Sequence, residues 1–118
     1  MKAQELRIGN YVYADLYDKD YILVESVCSK LEEIYNSTTG EIPLSSIKPI
    51  PLTEEMLLKC GFTPCSIIDD EFSFNGRMTI LKDWGVFTCK KTEVEIEYVH
   101  QLQNIFYILT NQELEIKL

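Results

Sequence analysis

The chain has 118 residues, 46% of them hydrophobic and 25% charged, a composition that excludes a disordered, collagen-like or low-complexity polymer. Its 11 Lys and Arg against 19 Asp and Glu leave a net charge of −8, so bulk nucleic-acid binding, which rests on neutralising phosphates, is not expected. No apolar run approaches the roughly 20 residues of a membrane span, and Met1–Glu5 opens no secretory signal, so a cytoplasmic protein with reduced cysteines and no membrane partner is expected.

The first fifty residues read as short strands. Asn10–Ala14 and Tyr21–Val27 are rich in β-branched and aromatic residues, with the acidic stretch Asp15–Asp20 as the turn between them. Leu31–Tyr35, Glu41–Leu44 and Ile47–Ile50 follow, with a turn at Asn36–Gly40. Pro43, Pro49 and Pro51 donate nothing to a ladder, which assigns the last strands to an edge or to an interruption. Five short strands at this spacing predict a small, bent SH3-like β-barrel lobe over residues 1–50.

Pro51–Phe62 is the best-marked helix. Thr53 is its N-cap, Glu54 and Glu55 lie in the first turn where the helix dipole favours negative charge, and Gly61 is the left-handed stop. Leu52 and Leu57 take the positions of a hydrophobic staple. Glu71–Phe74 and Arg77–Leu81 then flank Asn75-Gly76, the strongest two-residue hairpin signal. Val86–Cys89 is a further strand. Glu93–Tyr98 alternates, which sends Val94, Ile96 and Tyr98 to the core. A helix runs on to about Thr110 and stops at Asn111-Gln112, and Glu113–Leu118 alternates again as a last strand. The fold class is therefore α+β: the barrel lobe, a short helix, and a small antiparallel sheet packed with one C-terminal helix over residues 51–118, expected as one compact unit.

Residues 98–112 contain no Asp, Glu, Lys or Arg. Wound as a helix, Tyr98, Val99, Leu102, Ile105, Phe106 and Leu109 share one arc, the core face. His100, Gln103, Asn104 and Tyr107 fall on the other side, where a surface helix carries Lys and Glu. Three readings follow: cover by another part of the same chain, a protein-binding or self-association surface, or a ligand or catalytic site using His100. Amides and a phenol suit a buried contact because they cost less to desolvate than charges.

Dedicated chemistry is weakly signalled. Cys60, Cys65, Cys89 and His100 are a conceivable zinc set, but the Gly-Phe-Thr-Pro spacer and the lack of a second tight pair argue against it. A cysteine nucleophile with His100 as base lacks any motif. Asp69-Asp70-Glu71 reads as a solvated turn, and Trp84, the single tryptophan, as a core plug. No phosphate loop or dinucleotide fingerprint is present, so no cofactor is expected.

Three patches carry a family likeness: Leu6-Arg7-Ile8-Gly9-Asn10-Tyr11-Val12, the stretch from Ile50 to Glu55 with Leu57-Leu58-Lys59 and Gly61-Phe62, and Tyr98-Val99-His100-Gln101-Leu102-Gln103-Asn104. With these the chain resembles a group of small uncharacterised proteins of Bacteroides-type bacteria, their phages and mobile elements. The resemblance implies a bacterial or phage cytosol and no catalytic residues. The favoured function is a non-enzymatic interaction module, an accessory protein whose partner is another protein or a second copy, engaged through His100, Gln103, Asn104 and Tyr107. The alternatives are a nucleic-acid-associated regulator working through the small barrel and a cysteine-dependent enzyme using His100.

Overall fold

The computed structural model describes residues 1–14 and 17–117, with side chains described for all of these except 17–20. Among the described residues the class is α+β: two α-helices and three small antiparallel sheets.

The N-terminal strands are β1 (Tyr11–Ala14), β2 (Tyr17–Leu23), β3 (Ser26–Cys28), β4 (Glu33–Asn36), β5 (Gly40–Pro43) and β6 (Ile47–Lys48). They form two sheets, ordered β2-β1-β6 and β3-β4-β5. The run Tyr21–Val27, expected as one strand, bends and serves both. The Val24 N–H donates to the Asn10 carbonyl at 2.8 Å, and the next N–H, of Glu25, donates to the Tyr35 carbonyl of the other sheet at 3.0 Å. Of the stretch Asp15–Asp20, expected as an acidic turn, residues 17–20 belong to β2; Asp15 and Leu16 lie outside the described residues. No ladder closes the two sheets among the described residues, so a closed barrel is not seen. Alternate residues Val12, Ala14, Ile22, Ile34, Ile42 and Ile47 point between the sheets and make the first apolar core.

Helix α1 (Glu54–Lys59) starts as the sequence predicts. The Thr53 hydroxyl accepts the Met56 N–H at 3.2 Å, satisfying a first-turn donor. Gly61 ends it at φ +94°, and a Cβ there would stand 3.0 Å from the Phe74 ring, so only glycine fits. The sheet that follows contains β7 (Thr63–Pro64), β8 (Glu71–Phe74), β9 (Met78–Asp83), β10 (Val86–Cys89) and β11 (Glu95–Ile96), in the order β11-β10-β9-β8-β7. The Asn75-Gly76 hairpin forms with one extra residue, Arg77, before Phe74 and Met78 pair. Helix α2 (Val99–Thr110) packs Val99, Leu102 and Phe106 on this sheet and ends where Asn111 turns left-handed at φ +57°. Leu57, Phe62, Ile80, Phe87, Ile96, Leu102 and Phe106 fill the second core, and Phe106 meets the Phe74 ring edge-on at 4.9 Å.

Two alternating stretches behave differently from expectation. Val94 is exposed, because Glu93 takes φ +59° and a tight turn closes from Cys89 to Val94; Glu95–Ile96 pairs with β10, and Tyr98 makes an isolated bridge with Pro51. Residues 113–117 do bury Leu114 and Ile116, but they cross over α1, where the Lys117 N–H donates to the Lys59 carbonyl at 2.9 Å, and pair with no strand. The expectation for Leu118 lies outside the described residues. Among the described residues no helix is long and apolar enough to cross a membrane.

Phe106 is the side chain on which α2 depends. Phe106→Ala removes a buried ring and leaves a cavity, and is expected to cost about 4 kcal/mol, read as a lower urea midpoint.

Candidate functional site

The charge-free side of α2 faces the N-terminal segment Arg7–Tyr11. Gln103 is fully buried. Its Nε2 donates to the Gly9 carbonyl and its Oε1 accepts the Tyr11 N–H, both at 2.9 Å, so the side-chain amide substitutes for a neighbouring strand at the entry to β1. Asn10, also buried, accepts the Arg7 N–H on its Oδ1 at 2.6 Å and donates from Nδ2 to Asn104 Oδ1 at 2.8 Å. Asn104 Oδ1 accepts from Arg7 Nε as well, at 3.2 Å, and its Nδ2 donates to the Glu5 carbonyl at 3.3 Å. The Arg7 guanidinium pairs with the Glu113 carboxylate and lies over the Tyr107 ring, 4.5 Å from its centroid. Gly9, at φ +99°, lets this carboxylate approach: a Cβ would come within 3.1 Å of it.

The structure therefore brings the four sequence-predicted residues onto one helix face but uses them differently. Gln103 and Asn104 bind other parts of the same chain. Tyr107 keeps part of its ring exposed beneath Arg7. His100 is 4% exposed, stacked on Tyr98 with ring centroids 5.9 Å apart, and its Nδ1 is buried without a hydrogen-bond partner among the described residues. It lines a shallow cleft of about 300 Å³ together with Glu5, Glu95, Gln101 and Asn104. Burial pushes the imidazole below the ordinary histidine range, and the Glu5 carboxylate pulls it partly back.

The cysteines and His100 do not meet. Among the described residues no three His, Cys, Asp or Glu side chains come together in a way that would hold a metal ion. Burial raises the Cys60 thiol to about 12, opposite to what a nucleophile needs, and Cys89 is fully buried.

The exposed chemistry lies elsewhere. Trp84 is not a core plug: it is 97% exposed. Asp83 and Val86 pair, so Trp84-Gly85 is the two-residue tip of the β9–β10 hairpin, with both residues in left-handed conformation at φ +51° and +81°. That turn favours Asn or Gly at its first position, and a bulky side chain there is strained by about 1 kcal/mol. At the same end of the sheet, the Asp70 carbonyl accepts the Lys82 N–H at 2.8 Å, which sets the 65–70 loop beside the hairpin. Ile67 and Ile68 of that loop are 90% and 52% exposed, and Val86 is exposed as well. Sequence reasoning missed these residues, although Asp83-Trp84-Gly85 between two strands is a turn signal that puts Trp84 outside.

Searched against protein-family models, curated proteins and solved structures, the chain matches none of them.

Two outcomes test the α2 joint. Gln103→Leu orphans the part-buried Tyr11 N–H and Gly9 carbonyl and is expected to cost about 2 kcal/mol in urea unfolding. For His100, the unfolded chain takes up a proton near pH 6.5 while the folded chain resists it, so stability falls as pH drops below that value. Urea midpoints at about pH 7.5 and 5.5 should differ in wild type and differ less in His100→Gln.

Proposed function

We propose that this protein is a non-enzymatic interaction module that binds another protein through the sheet end bearing Trp84, Ile67, Ile68 and Val86. One observation carries the reading: the only tryptophan stands 97% exposed on strained backbone, where Asn or Gly would relieve the strain and remove the apolar surface. Strain kept at a hydrated aromatic ring points to contact with something outside the chain, and tryptophan is the residue most enriched at the energetic centres of interfaces. This moves the contact from the α2 face, whose His100 and Gln103 are buried within the chain, to the opposite class of surface: apolar, protruding and uncovered.

The N-terminal half is read as an SH3-like plan. Its support is the strand order of the two sheets, the bent strand they share and the 3-10 turn Leu44–Ser46 leading into β6. With the family likeness, the proposed setting is the cytosol of a bacterium or its phage, in an accessory role. A nucleic-acid reading at this end is less well supported, because it carries Asp69, Asp70 and Asp83, and its lysine, Lys82, is already paired with Glu54.

Trp84 is its own reporter. A partner captured on wild-type protein and then purified should shift the indole emission to the blue and shield it from acrylamide quenching. Trp84→Asn should keep or slightly raise the urea midpoint while abolishing capture. A purified partner that binds without changing Trp84 emission would refute this site.

A further inference from the structure

The apolar end of the sheet is set in an acidic frame. Asp69 and Asp70 follow Ile67-Ile68 directly, Asp83 precedes Trp84, and all three are exposed. Among the described residues none of the three lies in an ion pair. The nearby cation, Lys82, is already held by Glu54, Nζ to Oε1 at 2.7 Å. Arg77 and Lys91 sit at the far end of the sheet, Arg77 in the β8–β9 turn and bonded to Gln112 at 2.5 Å, Lys91 in the β10–β11 turn. Lys90 of that same turn reaches back along the sheet and is neutralised by Glu71 at 3.3 Å. The sheet is thus polarised along its strands, and the field at the Trp84 end is negative.

We infer that the occupant of this end is a basic segment of another protein, one that carries an aliphatic or aromatic side chain between Lys or Arg residues. This rests on the docking reading above and adds the partner's chemistry. The apolar side chain covers Trp84, Ile67 and Ile68. The flanking cations meet Asp69, Asp70 and Asp83, which steer the approach and reject acidic partners. A second copy of this chain is the poorer fit. Face to face, the three aspartates of each copy would oppose one another, and each copy carries a charge of −8.

The test uses the full chain as target for a displayed random-peptide library, with Trp84→Ser protein for counter-selection. Enriched peptides are expected to carry a net positive charge and at least one large apolar residue. Synthetic versions should lose about tenfold in affinity against the Asp69→Asn/Asp70→Asn/Asp83→Asn variant and weaken with added salt. Trp84-dependent peptides without excess Lys or Arg, unaffected by the triple change, would overturn the basic-partner inference and leave the docking site standing. Failure to find any Trp84-dependent peptide would overturn the docking site itself. A mass in sedimentation that rises with concentration for wild type but not for Trp84→Ser would assign the site to a second copy and overturn the inference. Because Trp84 and the three aspartates are exposed, none of these variants is expected to unfold the chain, and matching urea midpoints confirm it.

Discussion

The docking of Gln103 between Gly9 and Tyr11 is the constraint on which the rest of the molecule is arranged. A buried amide is costly unless both its ends are used, and here the carbonyl oxygen takes the Tyr11 N–H while the NH₂ group reaches the Gly9 carbonyl. No other side chain does both at this reach. A leucine would leave two backbone groups dry, and a glutamate or lysine would bury a charge. The requirement explains why this side of α2 is polar yet uncharged. Asn10, Asn104 and Arg7 extend the same network toward solvent, and Glu113 closes it. Through it the helix that caps the second core is fixed to the first strand of the other.

The parts of the fold decided by neighbouring residues were legible in the sequence. Thr53 and Gly61 mark α1 because caps act within a turn, and Asn111 marks the end of α2 because few residues other than glycine tolerate its φ. What distant contacts decide was not legible. Nothing local tells the run through Val24 to change sheets, since the change depends on Asn10 on one side and Tyr35 on the other. The alternation of Glu113–Leu118 is used for burial without a strand partner, a distinction that hydrophobic pattern does not carry. For the candidate site, the sequence showed that α2 lacks charge and left cover by the chain itself as one of three readings, without showing that Gln103 is the residue so covered. At Trp84, the hydrophobicity of the side chain argued for the core while its turn position argued for solvent, and the turn prevailed.

The molecule inverts the usual placement of polarity at two places. Inside, between the cores, it buries the amides of Asn10 and Gln103, and the half-buried Asn104 and Arg7 bond to these two residues. Outside, at the end of the sheet, it holds an indole and two isoleucines in water. The interior inversion is offset by hydrogen bonds visible in the chain. The exterior one has no offset within the chain, which is the physical sense in which that end is unfinished. The two lie on different elements, one on α2 and the other on the β9–β10 hairpin and the 65–70 loop, so contact at the second need not disturb the first.

The joint also has a consequence for synthesis. Gln103 lies 94 residues after Gly9 and 92 after Tyr11, and Glu113 lies 106 after Arg7. A nascent chain therefore exposes the receiving backbone of β1 long before the helix that satisfies it leaves the ribosome. The first sheets can collapse early on contacts close in sequence, but their open side stays wet until α2 has been made. Closure of this joint thus waits on α2, and a chain released short of it would carry an unsatisfied strand entry exposed to whatever else can bond to it.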